Sequence, residues 1–199
     1  MAYSDFTFTK LSTQFDLKQK SISIFGNVAI KSIKPTAHLL QDIKEAKETP
    51  VATEKAKSES IISPIIKEIK RRNKHITIFS GYTFNVDTAN DLTGAPDFMI
   101  SLNPMIVEPE RPIFCLVESK NKTPEDGYAQ CAAEMYAARL FNQQAGEQNT
   151  VIYGAVTNAF DWVFMKLEND IVFIDLDRYY LNQLPRILGI FQFIVQKAA

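Results

Sequence analysis

Apolar residues return every three or four positions from Ser58 to Lys70, where Ile61, Ile62, Ile65, Ile66 and Ile69 form one stripe and Lys67, Lys70, Arg71 and Arg72 lie off it. That spacing predicts a helix with one buried side, kinked at Pro64. Downstream the pattern changes to short runs rich in β-branched and aromatic residues, at 75–86, 96–102 and 113–120, which predict strands. Thr123-Pro124-Glu125-Asp126 then reads as a helix start, with a hydroxyl cap, proline in the first turn and an acid three residues after the cap, and the helix is expected to run to about Phe141. Runs at 151–157 and 162–167 flank Asn158-Ala159-Phe160-Asp161 as a hairpin, and 171–175 predicts another strand.

The ends of the chain carry weaker patterns. A short helix is expected around Leu11 to Leu17, a strand over Ser21 to Phe25, a helix from Thr36 to Ile43 after Pro35, and a polar loop from Glu45 to Lys57. The tail from Asp177 predicts helix, restarted at Pro185. Strands, helix, strands, helix is the order of an α/β fold in which helices flank a mixed central sheet. At 199 residues and 46% hydrophobic content, one domain over 1–199 is expected, with an N-terminal extension over 1–54, a core over 55–167 and a final strand and helix over 168–199.

Charge narrows the choice of partners. With 22 basic and 23 acidic residues the formal charge is -1, so any hold on nucleic acid must come from a local patch. Lys67, Lys70, Arg71 and Arg72 are the candidate patch; a solvated helix end, favoured by the helix dipole, explains the same residues. Cys115 and Cys131 stand among apolar neighbours and read as reduced thiols of a cytoplasmic protein. The start lacks the apolar core of a signal peptide, and the most apolar stretch, Ile187 to Val195, is too short to span a bilayer. It reads as a packed helix, or as a surface for self-association or a partner subunit.

The chemistry concentrates where a buried run ends in charges. Ile113 to Val117 is apolar at every position and predicts a central strand covered on both faces; Glu118 and Lys120, two residues apart, then project from one face. If the preceding strand, Asp97 to Leu102, pairs antiparallel with Leu102 opposite Ile113, Asp97 falls opposite Glu118. Two facing carboxylates repel unless a cation lies between them, and hard oxygen donors without histidine or cysteine suit Mg2+ or Mn2+. Lys120 is then placed to orient or activate a water and to offset negative charge.

Gly94-Ala95-Pro96-Asp97, a gap of about twenty residues and Glu118-Ser119-Lys120 resemble the PD-(D/E)XK nuclease superfamily, over roughly residues 55 to 167. The resemblance implies a restriction endonuclease-like core and Mg2+-dependent hydrolysis of phosphodiester bonds, with DNA the expected substrate. It also implies a further acid from the preceding helix, for which Glu59 fits, the backbone carbonyl of Ser119 as a metal ligand, and Gln130 facing the site from the following helix. Glu59 reads equally as a first-turn acid favoured by the dipole, and Gln130 as a solvated helix residue. The sequence departs from the version with tyrosine four residues after the glutamine, since position 134 is Glu134; pairing with Arg139 or solvent accounts for that acid. The stretch Thr157 to Leu167 looks like the hairpin after the nuclease core in N-terminal domains of type I restriction R subunits. This chain has no GxxxxGK phosphate loop, so ATP-driven translocation by it is excluded. The alternatives are a scaffold that keeps the fold without catalysis and a cleavage subunit that relies on a separate DNA-recognition partner.

Overall fold

The computed structural model describes residues 2–144, Gly146 and 151–199. Helix α1 (Phe8–Phe15) leads to strand β1 (Lys18–Ile22), followed by α2 (Ala37–Lys47) and the one-turn α3 (Glu54–Lys57). A π turn over Ser58–Ile62 joins α3 to α4 (Ser63–Arg72). Strands β2 (Thr77–Ser80), β3 (Phe98–Ser101) and β4 (Ile113–Ser119) precede α5 (Tyr128–Gln143). The chain ends with β5 (Ile152–Thr157), β6 (Asp161–Glu168), β7 (Ile171–Asp175), β8 (Tyr179–Tyr180) and α6 (Leu184–Ala198).

The strands form one mixed sheet in the order β1-β7-β6-β5-β4-β3-β2, with β8 beside β6. Pairings β1·β7 and β4·β5 are parallel and the rest antiparallel. Helix α5 crosses over from β4 to β5, as a parallel pair requires. Every residue of β4 is buried, as its unbroken apolar run predicts. Alternation sends Cys115 and Val117 into the core formed with α2, α4 and α6, whereas Leu116 meets α1 and α5 on the other face. Glu118 and Lys120 share the parity of Leu116, so they belong to the α5 face. Helix α5 lies close on β5 because Gly154 has no side chain: a Cβ there would come within 2.6 Å of Met135 Sδ and 2.9 Å of Cys131 Sγ.

Several boundaries differ from the sequence expectation, each for a local reason. The polar stretch 45–57 is largely helical: α2 runs on to Lys47, and Thr53 caps α3 by accepting the Ala56 N–H at 3.1 Å. Pro64 lies inside a continuous helical run over 54–72, directly after the π turn Ser58–Ile62, so the expected disturbance of the helix takes the form of a π turn. Strand β2 stops at Ser80 because Gly81 turns with φ of 60°. Thr123 makes no side-chain cap; a 3-10 turn over Pro124–Gly127 precedes α5. After Asp177 the chain first forms β8, Trp162 opposite Tyr179, before α6 begins.

Residues 2–47 are part of the sheet's two layers. Strand β1 is an edge of the sheet, α1 covers one face and α2 the other. Tyr3 also fastens the segment that leads into the site, since its hydroxyl donates to the carbonyls of Phe84 (2.6 Å) and Leu92 (3.2 Å). The apolar side of α6 is consumed within the chain: Ile187, Leu188, Ile190, Phe191, Ile194 and Val195 all lie in the core. The self-association surface expected from that stretch is therefore interior packing. Cys115 and Cys131 are buried free thiols. Among the described residues, no helix is long and apolar enough to cross a membrane.

Candidate active site

The β3–β4 hairpin sets the first two groups. Phe98 stands opposite Val117 and Met99 opposite Leu116, and the next step along this antiparallel register puts Asp97 opposite Glu118. A bulge at the other end places Ser101, not Leu102, opposite Ile113. The expected register thus describes the site end, and Phe114 absorbs the one-residue offset near the loop. Asp97 is held tightly: its Oδ2 accepts the Ser119 N–H at 2.7 Å and its carbonyl accepts the Gly81 N–H at 3.0 Å.

Glu118 is only 3% exposed. Its Oε1 accepts a 2.8 Å hydrogen bond from Lys120 Nζ, and its Oε2 makes no hydrogen bond within the described chain. Burial, and then the charge of Asp97, raise the Glu118 pKa to about 7, while Lys120 and the Asp97 backbone N–H oppose the rise. Burial likewise pushes Asp97 above the ordinary carboxylate range; the Ser119 N–H counters it and the charge of Glu54 adds to it. Burial works against the Lys120 ammonium, but Glu118, Glu54 and Asp97 outweigh that effect and hold its pKa above the usual lysine value. The ammonium is therefore charged at neutral pH and faces an acidic cluster from within its own fold.

A second contact extends the site onto α5. Lys120 Nζ donates to Gln130 Oε1 at 2.8 Å, and Gln130 Nε2 donates to Glu134 Oε1 at 3.1 Å. Glu134 is fully buried and its Oε2 makes no hydrogen bond among the described residues. Burial, reinforced by the charge of Glu118, raises its pKa well above the carboxylate range. The expected pairing with Arg139 or solvent does not occur: Arg139 meets Asp170 at 3.0 Å, and Glu134 points into the site.

Asp97, Glu118, Ser119, Lys120 and Gln130 thus come together at one end of β3 and β4, with the Ser119 backbone tied to Asp97. Glu59 is placed elsewhere: its side chain is 69% exposed and lies 3.9 Å from Lys55. The upstream acid whose charge reaches Asp97 and Lys120 is Glu54, on α3. Lys57, on the same turn, ties α3 to the loop after Lys120 by donating to the Asn121 carbonyl at 2.5 Å. Glu54 precedes the π turn, which itself carries Ile61 and Ile62, so the regular helical spacing of the isoleucine stripe does not extend back to it. For Glu134 the signal was present in the sequence, as an acid four residues after Gln130 on one helical face.

The basic patch is partly committed to the fold. Arg72 binds the buried Glu68 through two donors at 2.9 and 2.6 Å and also donates to the Lys34 carbonyl. Lys70 donates to the carbonyls of Lys74 and Ile76. Arg71 stands 3.6 Å from Glu68. Lys67, Lys70 and Arg71 line a groove of about 470 Å³ with an apolar floor that includes Ile66, Ile78 and Phe98, the residue after Asp97.

No protein-family model and no curated protein matches the chain. Among solved structures it is similar over 81% of its length to one described as "cryoEM structure DrdV-DNA complex", at 11% identity and a TM-score of 0.45. The match spans 14% of that longer chain. A likeness at that level carries no function with it, and the functional reading rests on the site's own residues.

Proposed function

We propose that the chain is a metal-dependent nuclease that hydrolyses phosphodiester bonds in DNA at the site formed by Asp97, Glu118 and Lys120. The observation that carries the reading is Glu118: a carboxylate 3% exposed, opposite a second carboxylate, with one oxygen bound by a lysine and the other unpartnered. Burying two facing acids is unfavourable for a fold and useful for binding a cation.

The donor set fits Mg2+ or Mn2+. Among the described residues no group of three or more His, Cys, Asp or Glu side chains is placed to hold a metal ion. Mg2+ needs none, since one or two carboxylates with waters and substrate phosphate suffice. Asp97 and Glu118 would hold the ion, with the Ser119 carbonyl as a further ligand by the motif's resemblance and Glu54 contributing charge from above. The ion, when bound, lowers the pKa of water and neutralises phosphate charge. The protein's own groups do the rest. Lys120 offers a fixed ammonium beside the acids, where it can orient the attacking water and stabilise charge developing on the phosphate oxygens. Gln130 keeps that ammonium on the α5 face, since it accepts one of its three protons. DNA as the substrate follows from the resemblance of the motif.

The test is cleavage of plasmid and linear DNA by the full chain with Mg2+ or Mn2+, and its loss in Lys120→Ala under conditions where circular dichroism shows an unchanged fold. Equal cleavage by Lys120→Ala would refute the assignment. Lys70 and Arg72 are used internally, which favours a cleavage module that draws part of its DNA affinity from another surface.

A further inference from the structure

We propose that Glu134 is a positioning residue, which acts through Gln130 to hold the Lys120 ammonium against Glu118. The inference deepens the nuclease reading and rests on it for its catalytic consequence, but not for the geometry.

The argument starts from what each group can donate and accept. A lysine ammonium has three donors and no acceptor, so the atom of Gln130 that meets it must be the amide oxygen. That assignment leaves the Gln130 NH2 group facing away from Lys120, along α5, and it needs an acceptor there. Glu134, one turn later, supplies it: Nε2 to Oε1 is 3.1 Å. Without an acceptor at 134 the amide could still offer its oxygen to Lys120, but its NH2 group would lose its described acceptor, a cost that favours turning Gln130 away from the lysine. Glu134 therefore reads as the group that holds the Gln130 amide in the relay Lys120 → Gln130 → Glu134. A carboxylate and a protonated carboxyl both present an acceptor oxygen, so the relay works in either state.

Two observations argue against a purely structural role. Glu134 has no exposed surface, and its Oε2 makes no hydrogen bond in the described chain. A buried oxygen of that kind opposes folding, and an apolar side chain of similar size at this position would remove the penalty. Among the described residues the one hydrogen bond of Glu134 is to Gln130, and through it to Lys120. An acid that burdens stability and whose described hydrogen bond leads to the proposed catalytic lysine fits a trade of stability for function.

The experiment uses the full chain with Glu134→Leu, Glu134→Met and Glu134→Gln. Leu and Met delete the acceptor; both are made so that one folded variant suffices. Gln deletes the charge and keeps the acceptor. Two readouts are taken on each. The first, with no metal present, is the rate at which a small amine-reactive reagent modifies Lys120, followed by peptide mass spectrometry; the second is DNA cleavage with Mn2+. The expected result is several-fold faster modification of Lys120 in Leu or Met, wild-type protection in Gln, and a thermal midpoint that does not fall in Leu or Met. Cleavage is expected to drop in kcat by about 10- to 100-fold in Leu or Met, the usual range for residues that orient a site's ligands, with KM nearly unchanged. Wild-type protection of Lys120 in a folded Leu or Met variant overturns the proposal, as does a Gln variant damaged as much as the apolar ones. If the wild-type chain cleaves no DNA, the nuclease reading fails and the Lys120 modification pattern still decides the positioning role.

Discussion

Glu118 offers the sharpest quantitative test, because the site predicts that one substitution stabilises the protein while destroying its activity. Burial and the neighbouring Asp97 raise the Glu118 pKa from 4.5 to about 7. At about 1.4 kcal/mol per pH unit, that rise means the folded state disfavours ionised Glu118 by about 3 kcal/mol relative to the unfolded chain. The direction follows from proton counting. Between pH 4.5 and 7 the folded state binds more protons at this group than the unfolded state, so this contribution to stability is greatest below pH 4.5 and declines as pH rises to 7. Above pH 7 both states are ionised and the loss is complete.

Glu118→Gln mimics the protonated acid at every pH and still offers Lys120 an amide oxygen. Urea denaturation in the presence of EDTA at pH 5 and pH 8 is the assay. The expected gain for Glu118→Gln is small at pH 5 and about 2–3 kcal/mol at pH 8, where the wild-type carboxyl is ionised in both states. Mn2+ should stabilise the wild type at pH 8, where Glu118 has lost its proton, and leave Glu118→Gln nearly unchanged. A variant no more stable than wild type at pH 8, or one that keeps the wild-type response to Mn2+, refutes the view that Glu118 is a strained acid awaiting a cation.

Two further outcomes follow from the same geometry. Gly127→Ala places a Cβ 2.9 Å from both Cγ and Cε of Lys120 and 2.7 Å from Val156 Cγ1, so the lysine stem must move; with the backbone at φ of -109°, space and not conformation is what excludes a side chain. Cleavage should fall at least tenfold, with a loss of about 1–3 kcal/mol in stability from overpacking, measured by kcat and by urea midpoint; wild-type kcat would show that the Lys120 stem tolerates displacement. Glu54→Gln should weaken Mn2+ binding in calorimetry while Glu59→Gln leaves it unchanged, because only Glu54 acts on Asp97 and Lys120. Equal effects, or a larger one for Glu59, would reverse that assignment.

The centre of the sheet was legible because burial leaves little choice there. Seven consecutive residues of β4 are covered on both faces, and such a strand can only be written in apolar letters until the charges at its end. Glu118 and Lys120 stand out against that background, and the alternation of a strand assigns them to one face without further information. The β7 bounds, Ile171 to Asp175, were legible for another reason, a short β-branched and aromatic run after the Asn169-Asp170 turn, only partly buried on one face. The N-terminal strand β1 was misplaced toward Ser21 to Phe25 because it is an exposed edge, Lys18-Gln19-Lys20-Ser21-Ile22, whose partner β7 lies about 150 residues away. No local pattern records such a pairing; the apolar Ile24 and Phe25 that suggested a strand are core contacts beyond its end.

The site divides along the same line. What two adjacent strands set by alternation was readable: Asp97, Glu118 and Lys120 needed only a register. What depends on how helices are laid against the sheet was readable only for Gln130, through the motif's resemblance. Helix α5 brings Gln130 and Glu134 to Lys120 because Gly154 lets it approach β5 closely, and α3 brings Glu54 over the strand ends because Lys57 anchors that turn to Asn121. Both placements are tertiary facts; Glu134 leaves a trace as an acid on a helix face that the core makes expensive for acids, whereas Glu54 is exposed and leaves none. Glu68 shows the contrast that separates a structural buried acid from a functional one. It is as buried as Glu134, but both of its oxygens are bonded, by Arg72 and Thr36, and those partners hold its pKa below the ordinary value despite the burial that opposes them. Glu118 and Glu134 each leave an oxygen without a hydrogen bond among the described residues, and burial drives their pKa values upward. Among the described residues the fold therefore bonds both oxygens of the buried acids outside the site, Glu68 and Asp175, and leaves one oxygen each of Glu118 and Glu134 without a bond, which is the distribution expected where a cation and a substrate phosphate complete a site.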